Sequence, residues 1–173
     1  MTISMYQASV PMLIRMLTNL KGILEKGAAY AQAKKIEEGV LLNARLYPDM
    51  FVFTRQVQIA CDFARGTGAR LAGKEPPAFE DDERTFPELV SRVERSVAYL
   101  RTLTASEIDG SEVREIIRPL RGEPKKFTGI NYLLQFALPN FFFHVTTAYA
   151  ILRHNGVELG KMDYIGSIPT REG

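Results

Sequence analysis

The sequence predicts an all-α protein: four long helices in an up-down bundle, with short extra helices and a small β-hairpin before the last long helix. Three observations carry this expectation. Apolar residues recur at every third or fourth place along three otherwise polar stretches, the period of a helix with one buried face. A fourth stretch, Phe127 to Leu152, contains no charged side chain. The segments between them have loop chemistry, with Pro76-Pro77 among acidic residues and Asn155-Gly156 after the last periodic residues. With 173 residues, 46% of them hydrophobic and 24% charged, the chain fits one globular domain over residues 1–165 with a flexible tail at 166–173.

The first helix is expected over Ser4 to Lys26, where Met5, Met12, Met16, Leu20 and Ile23 or Leu24 share a face. Pro11 lacks a backbone donor and implies a bend or a late start. Ala28 to Leu46 reads as one or two short bridging helices. The second long helix is expected from Pro48-Asp49, with the Asp as cap, to Gly73. Its inner stripe is Phe53, Val57, Ala60, Ala64, Gly68 and Leu71, and its small members allow close approach of a neighbour. Lys74 to Arg84 has the composition of an exposed loop. Thr85-Phe86-Pro87-Glu88 opens the third long helix as a capping box, with Leu89, Val93, Val97 and Leu100 turned inward. Val113 to Ile117 and Lys125 to Thr128 are β-prone pieces around Arg121-Gly122-Glu123-Pro124, the pattern of a hairpin. The last helix starts near Thr128 and stops at His154-Asn155-Gly156.

Charge and cysteine content exclude several functions. The 22 basic and 20 acidic side chains are spread along the chain and leave a formal charge of +2, so no basic patch points to nucleic acid. The one cysteine, Cys61, cannot form an internal disulfide and lies in an apolar helical pattern, which implies a reduced, cytoplasmic setting and a core role for the thiol. Met1 to Leu20 reads as a first helix and not as a signal peptide. Phe127 to Leu152 is long enough for a membrane span, but Gln135, Pro139, Asn140, His144, Thr146 and Thr147 interrupt it, and the other amphipathic helices need a partner for their inner faces. A central bundle helix, covered in part by a second subunit, is the expectation.

Leu133, Ala137, Asn140, His144, Thr147 and Ile151 share one face of that helix, with Asn140 and His144 one turn apart. Two side chains so placed can meet one ligand. The alternatives for this face are a buried, hydrogen-bonded histidine partnered by Asn140 and Gln56, a ligand pocket using the same polar trio, and a transition-metal site. Carboxamides are poor ligands for zinc or nickel, and His154, the other histidine, is turned away at the helix end. Phe141-Phe142-Phe143 points in three directions and suits core and interface packing. No glycine-rich phosphate loop, metalloprotease helix or nucleophile elbow occurs, so no catalytic residue is assigned.

Four segments carry a family resemblance. They are Ser4-Met5-Tyr6-Gln7-Ala8-Ser9-Val10-Pro11, Leu42-Asn43-Ala44-Arg45-Leu46 with Pro48-Asp49-Met50-Phe51, Arg55-Gln56-Val57-Gln58-Ile59-Ala60, and Leu138-Pro139-Asn140-Phe141-Phe142-Phe143-His144-Val145-Thr146-Thr147-Ala148-Tyr149 through Gly156-Val157-Glu158. In these the chain resembles the bacterial and fungal family called domain of unknown function 1993, grouped with the DinB/YfiT-like bundles. Better-known members of that group are metal-dependent enzymes and thiol transferases, often dimeric. The resemblance implies a DinB-like bundle and a homodimer. It also implies a site in which Asn140 and His144 occupy the positions of a His-x-x-x-His pair and Gln56 or Gln58 that of a third histidine. The expectation is therefore a small-molecule pocket lined by Gln56, Gln58, Asn140 and His144, with a degenerate metal site. No cofactor is expected there, and any zinc or nickel would sit on His144. A structural homodimer without catalysis, and a metal-dependent hydrolase or thiol transferase, are the alternatives.

Overall fold

The computed structural model describes residues 2–120 and 122–168. Arg121, at the expected hairpin turn, and residues 169–173 of the expected tail lie outside the described residues. Four long helices dominate: α1 (Val10–Lys34), α3 (Phe53–Leu71), α4 (Phe86–Arg101) and α7 (Leu138–His154). The shorter elements are α2 (Glu38–Leu42), α5 (Ala105–Ile108), the strands β1 (Glu115–Leu120) and β2 (Glu123–Thr128), α6 (Gly129–Asn131) and α8 (Lys161–Ile165). Helix α1 packs chiefly on α4 and α3 on α7, and the contact of α3 with α4 joins the two pairs.

Pro11 produces a late start rather than a bend. It sits in the first turn of α1, where a missing N–H leaves no helical bond unmade. The helix then runs on to Lys34 instead of stopping near Lys26, and Lys35 closes it in the left-handed region at φ 54°. Gly27 does not end it, because that position faces a crossing. A Cβ there would stand 2.9 Å from Phe86 and 3.0 Å from Leu152.

The start of α3 differs from the expected Asp49 cap. Val52 holds the N-cap position in extended backbone with no side-chain bond, and the Phe53 N–H donates to the Ala44 carbonyl at 2.8 Å. The helix therefore begins later than expected, and its first N–H is satisfied by the preceding segment instead of by an Asp49 cap. The expected inner stripe of α3 is fully buried at Phe53, Val57, Ala60, Ala64 and Leu71. At Gly68 a Cβ would come within 2.6 Å of Leu103 and 2.8 Å of Leu100, so any side chain there would have to push these leucines aside, and the glycine lets the end of α4 and the residues after it pack closely. Small residues thus make α3, rather than the more apolar α7, the most enclosed helix: buried positions occur on nearly every side of α3, whereas α7 leaves Phe143 exposed.

Helix α4 opens as expected. Thr85 Oγ1 accepts from the Glu88 N–H, and the Glu88 carboxylate accepts from the Thr85 N–H. The antiparallel hairpin is also present, with Ile116 opposite Phe127 and Arg118 opposite Lys125. Ahead of α7 the chain passes through α6 and a π-helical turn, Tyr132–Ala137. Pro139 has no N–H to return to the preceding turn, and the helix widens just before it. After Gly156, at φ 91°, the short α8 folds back on α1, where Asn19 Nδ2 donates to the Tyr164 and Ile165 carbonyls at 2.9 Å each.

The Lys74–Arg84 segment is a largely exposed loop, as expected, but it is also pinned to the bundle as a strap. Arg92, on the inner face of α4, is fully buried. Its guanidinium donates to the Glu80 carbonyl at 2.9 Å, to both Glu83 oxygens at 3.0 and 3.2 Å, and to Asp62 at 2.7 Å, and it pairs with Asp81 at 2.9 Å. Burial opposes the arginine's charge, but the Glu83 bonds and the Asp62 and Glu83 charges outweigh it and raise its pKa. Of the acids in this segment only Glu83 is buried against that cation; Asp81 reaches Arg92 from an exposed position, and Glu75, Glu80 and Asp82 stay exposed.

Candidate functional site

Helix α3 presents polar chemistry on three faces. Gln56 lies on the face toward α7, and its Oε1 is 2.7 Å from His144 Nδ1. Its amide nitrogen donates to the Phe51 carbonyl at 3.2 Å, so the oxygen faces the ring and Nδ1 carries the proton. The His144 ring is buried, stacks on Phe63 at a 6.0 Å centroid distance, and meets Phe143 edge-on at 5.3 Å. Burial, and then the nearby Arg55 charge, push its pKa down to about 4.

The other expected site residues do not join this pair. The Asn140 amide folds back on its own helix and donates to the Phe136 carbonyl at 2.6 Å. Gln58 is buried on another side of α3, where it donates to Glu83 at 2.9 Å and accepts from Arg55 at 3.2 Å, within the network around Arg92. Cys61 is wholly buried, which pushes its thiol up to about 11 and keeps it protonated.

The third face of α3 lines a cleft of about 490 Å³. Arg55, Ile59, Asp62, Phe63, Gly66 and Arg70 form its floor at helical spacing. Pro76, Pro77 and Phe79 of the strap form the outer wall, and Arg118 of β1 with Tyr132 of the π turn closes one end. Arg65 is 3% exposed and lies with its guanidinium carbon 3.6 Å from the Phe79 ring centroid. It donates to the Pro77 carbonyl and to Asp62, yet its buried Nε–H finds no acceptor. Phe63 separates the cleft from His144, and an aromatic series runs on through Phe136 to Tyr132 and Phe127. Sequence reasoning missed this face, although Arg55, Ile59, Asp62, Gly66 and Arg70 recur at helical intervals beside the apolar stripe.

The family model for the domain of unknown function DUF1993 matches residues 5–165. The chain belongs to the DUF1993 family. It is also similar to a DinB family member protein from Shewanella denitrificans known from a crystal structure. The two are 42% identical, with 97% of this chain and 95% of that chain covered and a TM-score of 0.91. The DUF1993 chain therefore has the DinB-like bundle expected from its motifs. No curated protein matches it. No helix among the described residues is long and apolar enough to cross a membrane.

The metal site implied by the DinB resemblance does not suit the residues of this DUF1993 chain. The positions in question supply one imidazole and carboxamides, with Asn140 committed to Phe136, Gln58 to Glu83 and Gln56 to His144. Zinc and nickel sites are built from imidazole, thiolate and carboxylate groups. Among the described residues no three His, Cys, Asp or Glu side chains are grouped as metal ligands would be.

The depressed His144 pKa has a definite sign in stability. Unfolded, the ring takes a proton below its ordinary value of 6.5, whereas folded it stays neutral down to about 4. Stability is therefore lost as pH falls from 6.5 toward 4, by at most about 3 kcal/mol from this group. Urea unfolding across this range should show a smaller loss in His144→Gln than in the wild type. Equal losses would mean that the ring is not held neutral.

Proposed function

We propose that this DinB-like bundle binds a small molecule in the cleft along α3, with the Gln56–His144 pair as a fixed wall behind Phe63 rather than as a metal site. The observation that carries the reading is the cleft itself. Its volume lies within the range of small-molecule sites, and aromatic and aliphatic side chains from several elements surround a few converging polar groups. The Gln56–His144 hydrogen bond locks the ring that backs Phe63, which makes the floor rigid. No reaction step is assigned to the cleft.

Ile59→Trp places a large ring on the cleft floor. Aromatic fragments found by thermal shift with the wild-type protein should lose binding in this variant and keep it in Asn140→Ala. Hits that survive Ile59→Trp and disappear in Asn140→Ala would place the site on the expected face of α7 and overturn the proposal.

A second reading, a homodimer joined through the outer face of α7, is favoured by one observation. Phe143 is 56% exposed and borders a shallow groove with Leu46, Pro139 and Phe142. Light scattering at micromolar concentration should then give a dimer for the wild type and a monomer for Phe143→Ser. A monomeric wild type removes this reading.

A further inference from the structure

The four arginines of the cleft are not equally neutralised. Arg55 pairs with Asp81 and Arg65 with Asp62. Arg70 and Arg118 form no ion pair among the described residues, although both line the same end of the cleft. Glu75 and Glu115 border the groove on the far side of these two arginines, but Glu115 pairs with Lys126 and neither acid pairs with Arg70 or Arg118. Two guanidinium groups are thus brought together beside a concave, partly apolar surface without a carboxylate between them, an arrangement that repels until an anion enters.

The surrounding structure holds this arrangement in place. Gly66 has no side chain, and a Cβ there would overlap the Arg70 guanidinium, so the glycine lets Arg70 lie across α3. Arg70 donates to the Tyr132 hydroxyl at 3.4 Å, and Tyr132 is itself buried against Phe127 and Phe136. Arg118 comes from β1 and is half-buried, with an Nε–H that lacks an acceptor. Its pKa is lowered, first by burial and then by the Arg70 charge. Arg65, nine-tenths buried and lining the same cleft, likewise keeps an Nε–H without a partner. A buried donor left unpaired is costly, and an anionic oxygen is the group that satisfies several guanidinium donors at once.

We infer that the cleft takes a small organic anion, whose carboxylate or phosphate group lies between Arg70 and Arg118 and whose apolar body lies along Ile59, Phe63 and Pro77. This assignment rests on reading the cleft as a ligand site, and it names the ligand class for that site. The planar forks of arginine suit both head groups, since each offers paired oxygens to two parallel N–H donors. The apolar floor separates an organic anion from a bare inorganic one.

Titration calorimetry on the full chain with phenyl phosphate, benzoate, phenol and inorganic phosphate tests the assignment. Phenyl phosphate or benzoate should bind at least about tenfold more tightly than either phenol or inorganic phosphate, and more weakly as salt is raised. Arg70→Gln and Arg118→Gln should each weaken that anion by about tenfold or more while retaining the wild-type circular dichroism, whereas Arg101→Gln, on another face, should not. Phenol binding as tightly as the anions, and lost in Ile59→Trp, would overturn anion selection while leaving the cleft as a ligand site. Inorganic phosphate binding as tightly as phenyl phosphate would overturn the organic body. Anion binding unchanged in both arginine variants, or absent for every probe at millimolar concentration, would overturn the assignment altogether.

Discussion

The buried guanidinium of Arg92 is the constraint on which the shape of the α3 cleft depends. An isolated cation at a position with no solvent exposure would be untenable, and it is stable here because Asp62, Asp81, Glu83 and the Glu80 carbonyl surround it. Three of these four partners belong to the strap between α3 and α4. The ion cluster therefore converts a proline-rich acidic loop into a wall. That wall carries Pro77 and Phe79 to Arg65, and the Arg65 and Arg95 guanidinium groups both lie over the Phe79 ring. Removing one partner of such a buried pair costs roughly 3–5 kcal/mol, more than any single apolar contact the strap makes.

Local signals in the sequence were reliable where the structure satisfies them locally. The Thr85–Glu88 capping box needs only four consecutive residues, and it forms. The apolar stripes of α3 and α4 and the stop after His154 depend on helical period and end chemistry, and they are found where the pattern puts them. On α1, Met16, Leu20, Ile23 and Leu24 are buried, but Met12 is only half-buried and Met5 precedes the helix. Errors arose where a distant segment supplies what a local rule assigns to a neighbour. The Ala44 carbonyl takes the first N–H of α3 where a cap by Asp49 was expected, and Phe86 with Leu152 packs against Gly27, where the helix was expected to end. The loop character of the acidic strap is legible, but its anchoring is not, since its partner Arg92 lies on the next helix.

The candidate site was half legible. Gln56 and His144 lie on the facing apolar stripes of two helices, so two independent periodicities predicted that they meet. Asn140 shares the His144 stripe in a uniform α-helix, but its short side chain is satisfied one turn back, at Phe136 within the π turn. Gln58 is only two residues from Gln56, which in a helix turns it toward Glu83 and away from His144. The arginine cleft was not legible in full, because Arg118 and Tyr132 reach it from the hairpin and the π turn, elements whose placement no helical period encodes.

Helix α3 thus has one face for packing, one that locks a neutral histidine, and one that becomes a cleft only when the strap is fastened. The central claim is that Arg92 does the fastening. Limited proteolysis with a glutamyl endopeptidase, which can cut after Glu80 and Glu83, tests it directly. The wild-type strap should resist cleavage, and Arg92→Met should be cut within the strap while its helical circular dichroism is retained. Equal resistance in the two proteins, or rapid cutting of the wild-type strap, would contradict the account.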